Sequence, residues 1–397
     1  MQAVILAAGN GTRLRPLTIT MSKAMIPIAG KPMIQWTIDT LKKYVDDIII
    51  VVRKGQKDIL SIDGCNFVVQ KEQRGTADAV SVVENLIEDE FILMNCDEIV
   101  SEEDIKQICR SRAYTMAVYK SETPERFGAI RVVDGTITHI EEKSPSPSSN
   151  LVNAGIGVFD KRIFDFIKRT PISERGEYEI TKTLNMMIED GIEIRPTELK
   201  QWISVSYPWN ILDANKIILD RTGTIIEDDV EIRPGVFIQD PVFIGRGSVV
   251  GPNSFIRPYS SIGENCRIGN ASEIKNSVIM KNTYVSHLSY VGDSIVADNC
   301  NIAAGTIFAN LRLDDKNIKM NIKGERIDSG RRKLGGVVGS NCKFGINCSI
   351  MPGVKIYPNL LIPPHQVITK DLLSVSMEEW KNEVNNPRKN TGNGGSI

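Results

Sequence analysis

The sequence carries no excess of either charge. Its 48 Lys and Arg residues stand against 49 Asp and Glu, a formal net charge of −1. No global field therefore draws the chain to nucleic acid or to an anionic membrane, and any phosphate chemistry must come from local basic residues. Long apolar runs are also missing: nothing approaches the ~20 residues that a membrane helix needs. The opening Met1–Gly9 has too short an apolar stretch for a signal peptide and lacks a basic start. Cysteine pairs are missing as well. Cys65, Cys96, Cys109, Cys266, Cys300, Cys342 and Cys348 form no Cys-x-x-Cys, and an odd count without metal-like spacing predicts free thiols in a reducing compartment. These absences predict a cytoplasmic protein without nucleic-acid or membrane partners. What remains is ordinary globular material, 41% apolar and 24% charged over 397 residues. That is enough for two domains with separate cores.

Two periodicities divide the chain. Up to about residue 220, short apolar runs (Val4–Ala8, Ile48–Val52, Phe67–Val69, Phe91–Asn95) alternate with amphipathic stretches (Pro32–Lys43, Thr76–Leu86, Glu102–Ser111). The alternation predicts an α/β, Rossmann-like domain over 1–220 with a mostly parallel sheet and its chemistry in the loops after the strands. Beyond it, apolar residues recur every six positions: Ile226, Ile232, Ile238, Ile244, Val250, Ile256, Ile262, Ile268 and Ile274, then Val338, Phe344, Ile350, Ile356, Ile362 and Ile368. This period suits neither helix nor simple strand, and predicts a left-handed parallel β-helix of hexapeptide repeats over 221–370. A β-sandwich of regular short strands would not hold its phase through nine consecutive positions and then through six more. Residues 310–336 read as a basic loop leaving the solenoid. A C-terminal helix over Met377–Val384 and a disordered Asn/Gly-rich tail complete the expectation for 371–397.

The first loop, Leu6-Ala7-Ala8-Gly9-Asn10-Gly11-Thr12-Arg13-Leu14, follows a strand and precedes a helical run. Its glycines let backbone N–H groups approach a phosphate, whose charge Arg13 can neutralise. A Rossmann dinucleotide fingerprint fails because Leu14 stands where the third glycine belongs, and a Gly-rich turn by itself is often only a turn. Ser22-Lys23-Ala24-Met25-Ile26-Pro27-Ile28 follows. Together the two segments resemble the signature of sugar-1-phosphate nucleotidylyltransferases. The resemblance implies nucleotide contacts from Ala8, Gly9, Gly11 and Thr12, with Arg13 and Lys23 as catalytic cations. It also implies base recognition by Gln70, Gly75 and Thr76, where an amide supplies both donor and acceptor. Asp97 would be a ligand of Mg²⁺, which wants hard carboxylate oxygen. Gly128, Glu142, Lys143 and Asn153 would hold the sugar phosphate. Singly, Lys23 and Lys143 read equally as solvated charges and Asp97 as a helix cap; it is their order that favours chemistry. One position departs from the family. Ser204 of Trp202-Ile203-Ser204 stands where a second metal-binding Asp is expected, with Asn210 and Asp213 as candidate substitutes.

In the second half, His287-Leu288-Ser289-Tyr290-Val291-Gly292-Asp293 interrupts the repeat and resembles the acetyltransferase site of bifunctional N-acetylglucosamine-1-phosphate uridylyltransferases, above all the archaeal two-domain enzymes. The resemblance covers nearly the whole chain to about residue 370. It implies acetyl-CoA as co-substrate and His287 as general base, a role suited to imidazole. Lys275, Tyr290, Lys316 and Lys319 would grip the sugar phosphate, and Asn310 would orient the amine or the thioester. Gly330–Gly335 reads either as basic contacts to the coenzyme or as a solvated loop. A homotrimer or dimer of trimers is implied too. The expected function is therefore two steps: acetylation of glucosamine-1-phosphate, then transfer from UTP or dTTP to give a nucleotide sugar and pyrophosphate. A non-catalytic regulatory relative with a weakened nucleotidylyltransferase site is the alternative, favoured only by Ser204.

Overall fold

The computed structural model describes residues 1–56 and 58–374; the helix and tail expected after 376 lie outside the described residues. The chain forms two compact units. One comprises residues 1–11, 21–27 and 31–206, and the other residues 12–20, 28–30 and 207 onward.

The first unit is built on a nine-stranded sheet. Gln2–Leu6 lies between Asp47–Arg53 and Phe91–Asn95, parallel to both, and Asn66–Gln70 adds a further parallel strand beyond Asp47–Arg53. Ile48–Val52 and Phe91–Met94 are buried throughout, as parallel strands covered on both faces must be. The other half of the sheet is antiparallel except for Arg195–Glu198, which runs parallel to Thr115–Lys120. Leu151–Phe159 pairs with Phe91–Asn95 and Thr115–Lys120, and Gly128–Val133 pairs with Thr136–Glu142. That last hairpin turns on Asp134 and Gly135, both with positive φ (49° and 76°). Asp-Gly is suited to such a two-residue turn. The sheet is thus mixed, with its parallel strands feeding the Gly-rich loop and the loop at Gln70–Thr76.

Helices α1 (Met33–Leu41), α2 (Thr76–Ser81) and α3 (Glu102–Cys109) follow strands as expected. Helix α3 is started by Ser101, whose hydroxyl accepts from the Asp104 N–H at 3.0 Å. Two helical expectations shrink. After Ser81 the β-branched Val82-Val83 pair ends α2, leaving a separate 3-10 turn at Glu84–Leu86. The run after the Gly-rich loop becomes three short 3-10 turns, Thr12–Leu14, Leu17–Ile19 and Lys23–Met25. Pro16 and the β-branched Thr18-Ile19-Thr20 do not sustain a helix there. The first unit also contains α4 (Arg162–Arg169) and α5 (Ile180–Glu189).

The long run of the second unit, from 207 onward, begins with α6 (Pro208–Thr222). Its fully buried Asn215 accepts from Ala29 N (2.9 Å) and Ser261 Oγ (2.7 Å) and donates to Tyr259 O (2.9 Å), which fastens the helix to the early coils. The coils form a left-handed parallel β-helix of three seven-stranded parallel sheets. Ile226 pairs with Ile244 and Ile244 with Ile262, one coil per eighteen residues. Inward residues from Ile244 to Ile274 are essentially unexposed, whereas Ile226 and Ile232 remain 45% and 40% exposed on the terminal coil. The six-residue series does not stop at Ile274. It continues through Ile279, Val285, Val291, Val296, Ile302 and Phe308, all buried. Two steps of five hide it, at Asn276 (φ 44°) and Asp293 (φ 48°), where a left-handed residue turns the chain one position early. Residues 309–336 then leave the solenoid, carrying a hairpin of Lys319–Ile322 and Glu325–Asp328. No helix among the described residues is long and apolar enough to cross a membrane.

Candidate active sites

In the first unit the parallel strands deliver three loops. After Gln2–Leu6 comes the Gly-rich turn, where Ala8 is buried, Gly9 is exposed and Gly11 has positive φ. A Cβ at Gly9 would meet nothing within 4 Å, so packing within the chain does not demand glycine there. Gly75 differs: its φ is +128° and a Cβ would lie 2.3 Å from Tyr178 O, so the loop before α2 depends on glycine. Gln70 is buried, and its Nε2 donates to Gly75 O (3.3 Å) and to Asp78 Oδ2 (2.7 Å). Both amide hydrogens are engaged, which leaves Oε1 as an acceptor. Asp78, which the motif did not single out, is in turn held by Arg74. Thr76 Oγ1 accepts from Ile180 N at 2.9 Å. Thr12 and Arg13 belong to the second unit, where the Arg13 guanidinium lies 5.7 Å from the centre of the Tyr207 ring.

The loop after Phe91–Asn95 carries the acidic centre. Asp97 Oδ2 is ion-paired with Lys23 Nζ and lies 3.5 Å from Ser204 Oγ. The strand Trp202–Ser204 runs antiparallel to Glu98–Val100, with Ser204 opposite Glu98. Ser204 Oγ also donates to Glu98 Oε1 (3.3 Å), and Trp202 Nε1 to Glu98 Oε2 (2.7 Å). Burial, and then the neighbouring Asp97, push the Glu98 carboxyl well above the ordinary carboxylate range. Lys23 thus pairs with Asp97, while Glu98 is held by Trp202 and Ser204. Glu98 was not singled out from the sequence, although its place beside Asp97 was the available signal. Asn210 and Asp213, the candidate substitutes for the missing Asp, have other partners: Asn210 Oδ1 caps α6 through Tyr207 N (2.9 Å), and Asp213 is ion-paired with Arg331. No cage of three or more His, Cys, Asp or Glu side chains occurs among the described residues. The donors that Asp97 and Ser204 offer, one carboxylate and one hydroxyl, fit a small hard cation that keeps waters and takes phosphate oxygens.

The four expected sugar-phosphate residues converge. Glu142 is cross-strand from Gly128, and a Cβ on Gly128 would lie 3.1 Å from Glu142 Oε2 and 3.8 Å from Asn153 Cβ. Lys143 Nζ reaches Glu142 Oε1 at 3.0 Å. Arg175, missed in the sequence, also reaches Glu142 (3.4 Å). Gly155 (φ +72°) brings this strand against the acidic centre, since a Cβ there would sit 2.4 Å from Asn95 Nδ2 and 2.9 Å from Glu98 Oε1.

In the second unit, Lys275, Tyr290 and Asn310 come together on Asp293. Lys275 Nζ donates to Asp293 Oδ2 (2.7 Å), as does Asn310 Nδ2 (2.5 Å), and Asn310 Nδ2 also reaches Tyr290 Oη (3.0 Å). His287 is exposed on the turn one coil from Gly269, whose Cβ would lie 3.2 Å from His287 Nδ1. Lys316 and Lys319 are exposed on the inserted loop and its hairpin; among the described residues no hydrogen bond links their side chains to Asp293. Arg331 of the basic segment turns inward to Asp213, with Asp293 4.0 Å away, and Arg332 pairs with Asp315. Arg331 is thus partly buried, while Arg332 stays on the exposed surface.

Residues 2–221 match the family described as Nucleotidyl transferase, and residues 238–329 match the GMPPB C-terminal domain. Over 97% of this chain and 98% of the relative, the sequence is 42% identical to the "Bifunctional protein GlmU" of Methanocaldococcus jannaschii. It is 39% identical, over 94% and 98%, to the "Bifunctional sugar-1-phosphate nucleotidylyltransferase/acetyltransferase" of Sulfurisphaera tokodaii. Among solved structures, a Bacillus anthracis protein assigned as a glucose-1-phosphate thymidylyltransferase superposes with a TM-score of 0.50 at 28% identity, over 55% of this chain and 96% of that one.

Proposed function

This chain belongs to the nucleotidyl transferase family, in the two-domain form whose relatives are bifunctional nucleotidylyltransferase/acetyltransferases, and from that membership we propose that it makes a nucleotide sugar in two transfers. The observation that supports this reading is the presence of two polar clusters on one chain, one in each unit: Lys23–Asp97 with the Gly128–Glu142–Lys143–Asn153 group, and Lys275–Asp293–Asn310–Tyr290. Residues 1–220 serve nucleotidyl transfer and residues 221–370 acetylation, in a cytoplasmic homotrimer or dimer of trimers.

Acetylation comes first. The amine nitrogen of glucosamine-1-phosphate attacks the thioester carbonyl of acetyl-CoA, the C–S bond breaks, and coenzyme A leaves as thiolate. His287 takes the proton that the nitrogen loses and passes it to the sulfur. Lys275, Lys316, Lys319 and Tyr290 hold the sugar phosphate. In the second transfer a phosphate oxygen of the sugar-1-phosphate attacks the α-phosphorus of UTP or dTTP, and the bond to the pyrophosphate oxygen breaks. Alignment and charge neutralisation by the protein do most of the work in such a transfer. Ala8, Gly9, Gly11 and Thr12 cradle the triphosphate, while Arg13 and Lys23 offset its charge. Gln70 Oε1 accepts the ring N–H of the pyrimidine beside Gly75 and Thr76. Gly128, Glu142, Lys143 and Asn153 hold the sugar. Asp97, with Ser204, would hold Mg²⁺, which supplies charge neutralisation at the reacting phosphates when bound.

The test is to incubate purified protein with Mg²⁺, a panel of nucleoside triphosphates and sugar-1-phosphates, with and without acetyl-CoA, and to identify products by mass. Nucleotide sugar with release of pyrophosphate, and acetylated sugar phosphate only when acetyl-CoA is present, are the expected products. Absence of either product across the panel removes that activity from the reading.

A further inference from the structure

The two shortened steps of the solenoid lie in one polar cluster. At Asn276 and Asp293 the chain turns a residue early, and the two turns stack: Asp293 N donates to Lys275 O at 2.8 Å, and Asp293 O accepts from Gly335 N at 2.8 Å. The Asp293 side chain is only 4% exposed, yet three donors converge on it. Lys275 Nζ and Asn310 Nδ2 reach Oδ2 at 2.7 and 2.5 Å, and Asn276 Nδ2 reaches Oδ1 at 2.7 Å. A buried carboxylate with this many donors is held in one orientation.

Its effect on Asn310 is chemical. A carboxylate ion-paired with lysine only accepts hydrogen bonds, so the Asn310 amide must turn its NH₂ toward it. The second hydrogen of that NH₂ goes to Tyr290 Oη at 3.0 Å. Both donors are then used, and Asn310 Oδ1 has no hydrogen-bond partner among the described residues. What the residue offers a ligand is an acceptor. A thioester carbonyl has no hydrogen to give it; a neutral amine has two, and binding one of them leaves the nitrogen lone pair free to attack.

We propose that Asp293 is the positioning residue of the acetyl-acceptor site, locking Asn310 so that its carbonyl oxygen receives the N–H of an amino sugar phosphate. The inference rests on the acetyltransferase reading above and assigns Asn310 to the amine rather than to the thioester. Asp293 also anchors Lys275, the lysine expected to bind the sugar phosphate.

The experiment measures acetylation of glucosamine-1-phosphate and nucleotidyl transfer in the same full-length variants. Asp293→Asn lets the Asn310 amide rotate, and kcat for acetylation should fall about a hundredfold, the usual scale for losing one fixed polar contact to the reacting group. KM for acetyl-CoA and the rate of nucleotidyl transfer should stay within about twofold. The reciprocal double variant, Asp293→Asn with Asn310→Asp, exchanges donor and acceptor and still presents an oxygen to the amine. It should regain at least about tenfold in kcat over Asp293→Asn, a recovery that a merely structural Asp293 would not permit. Asn310→Ala, which leaves the Lys275–Asp293 pair intact, should lose kcat to the same extent and guards against misfolding of the first variant. Acetylation by Asp293→Asn or Asn310→Ala at the wild-type kcat overturns the proposal, as does a double variant no better than the single. Wild-type protein that acetylates no amino sugar phosphate overturns the acetyltransferase reading itself.

Discussion

Asp97 is ion-paired with Lys23, and the hydroxyl of Ser204 touches both Asp97 and Glu98. A carboxylate at 204 would add a negative charge beside Asp97 and the buried Glu98, unfavourable by itself and favourable once a divalent cation is bound. Ser204→Asp should therefore lower the melting temperature in the presence of a chelator and reduce the Mg²⁺ concentration giving half-maximal nucleotidyl transfer. A gain of ~1.4 kcal/mol in transition-state stabilisation would raise the rate about tenfold. A Mg²⁺ titration in which half-saturation does not move would show that Ser204 is a bystander. The thiols give a second residue-scale expectation. Burial pushes Cys96 and Cys266 from an ordinary 9.0 up to about 12. Because the folded values are raised, these thiols support the native state fully below pH 9 and progressively less as pH rises from 9 toward 12, where only the unfolded chain loses the protons. Melting temperature followed over that window should fall, and Cys96→Ala with Cys266→Ala should flatten the decline.

Loops and coils set the element-scale expectations. Gly75 occupies a left-handed backbone conformation with Tyr178 O where a Cβ would go, so Gly75→Ala must displace the loop proposed to recognise the base. Nucleotidyl transfer should drop at least about tenfold through KM for the nucleotide, with acetylation unchanged in the same preparation. In the solenoid the cost of truncating an inward isoleucine depends on the coil. Ile302 is completely buried between neighbouring coils, and Ile302→Ala should cost about 3 kcal/mol by denaturant titration. Ile226 lies on the terminal coil, 45% exposed, and Ile226→Ala should cost under about 1 kcal/mol. Equal losses at the two positions would mean that the terminal coil is covered in solution.

At the scale of the whole molecule the two activities are proposed to be separable. Lys23 belongs to the first unit and His287 to the second, and each is remote in sequence from the other. Lys23→Ala should abolish pyrophosphate release and preserve acetylation, and His287→Ala should do the reverse; a folded variant that loses both would break the two-site assignment. Light scattering of the full-length protein should give three or six times the chain mass. A monomer would overturn the proposed trimer.

Period and motif were legible in the sequence because they are local. Six-residue spacing is a property of the chain alone, and so is the order of the Gly-rich loop, Lys23 and Asp97. The spacing also misled where a turn was one residue short: the coils from Ile279 to Phe308 dropped out of phase, although their side chains are as buried as the rest. Which groups meet was decided by tertiary structure. Glu98, Arg175 and Asp293 look like ordinary charged residues until strand pairing sets Glu98 opposite Ser204, folding brings Arg175 to Glu142, and stacked coils bring three donors onto Asp293. Periodicity records which face a residue takes; only the packed chain fixes the distances over which charges and hydrogen bonds act.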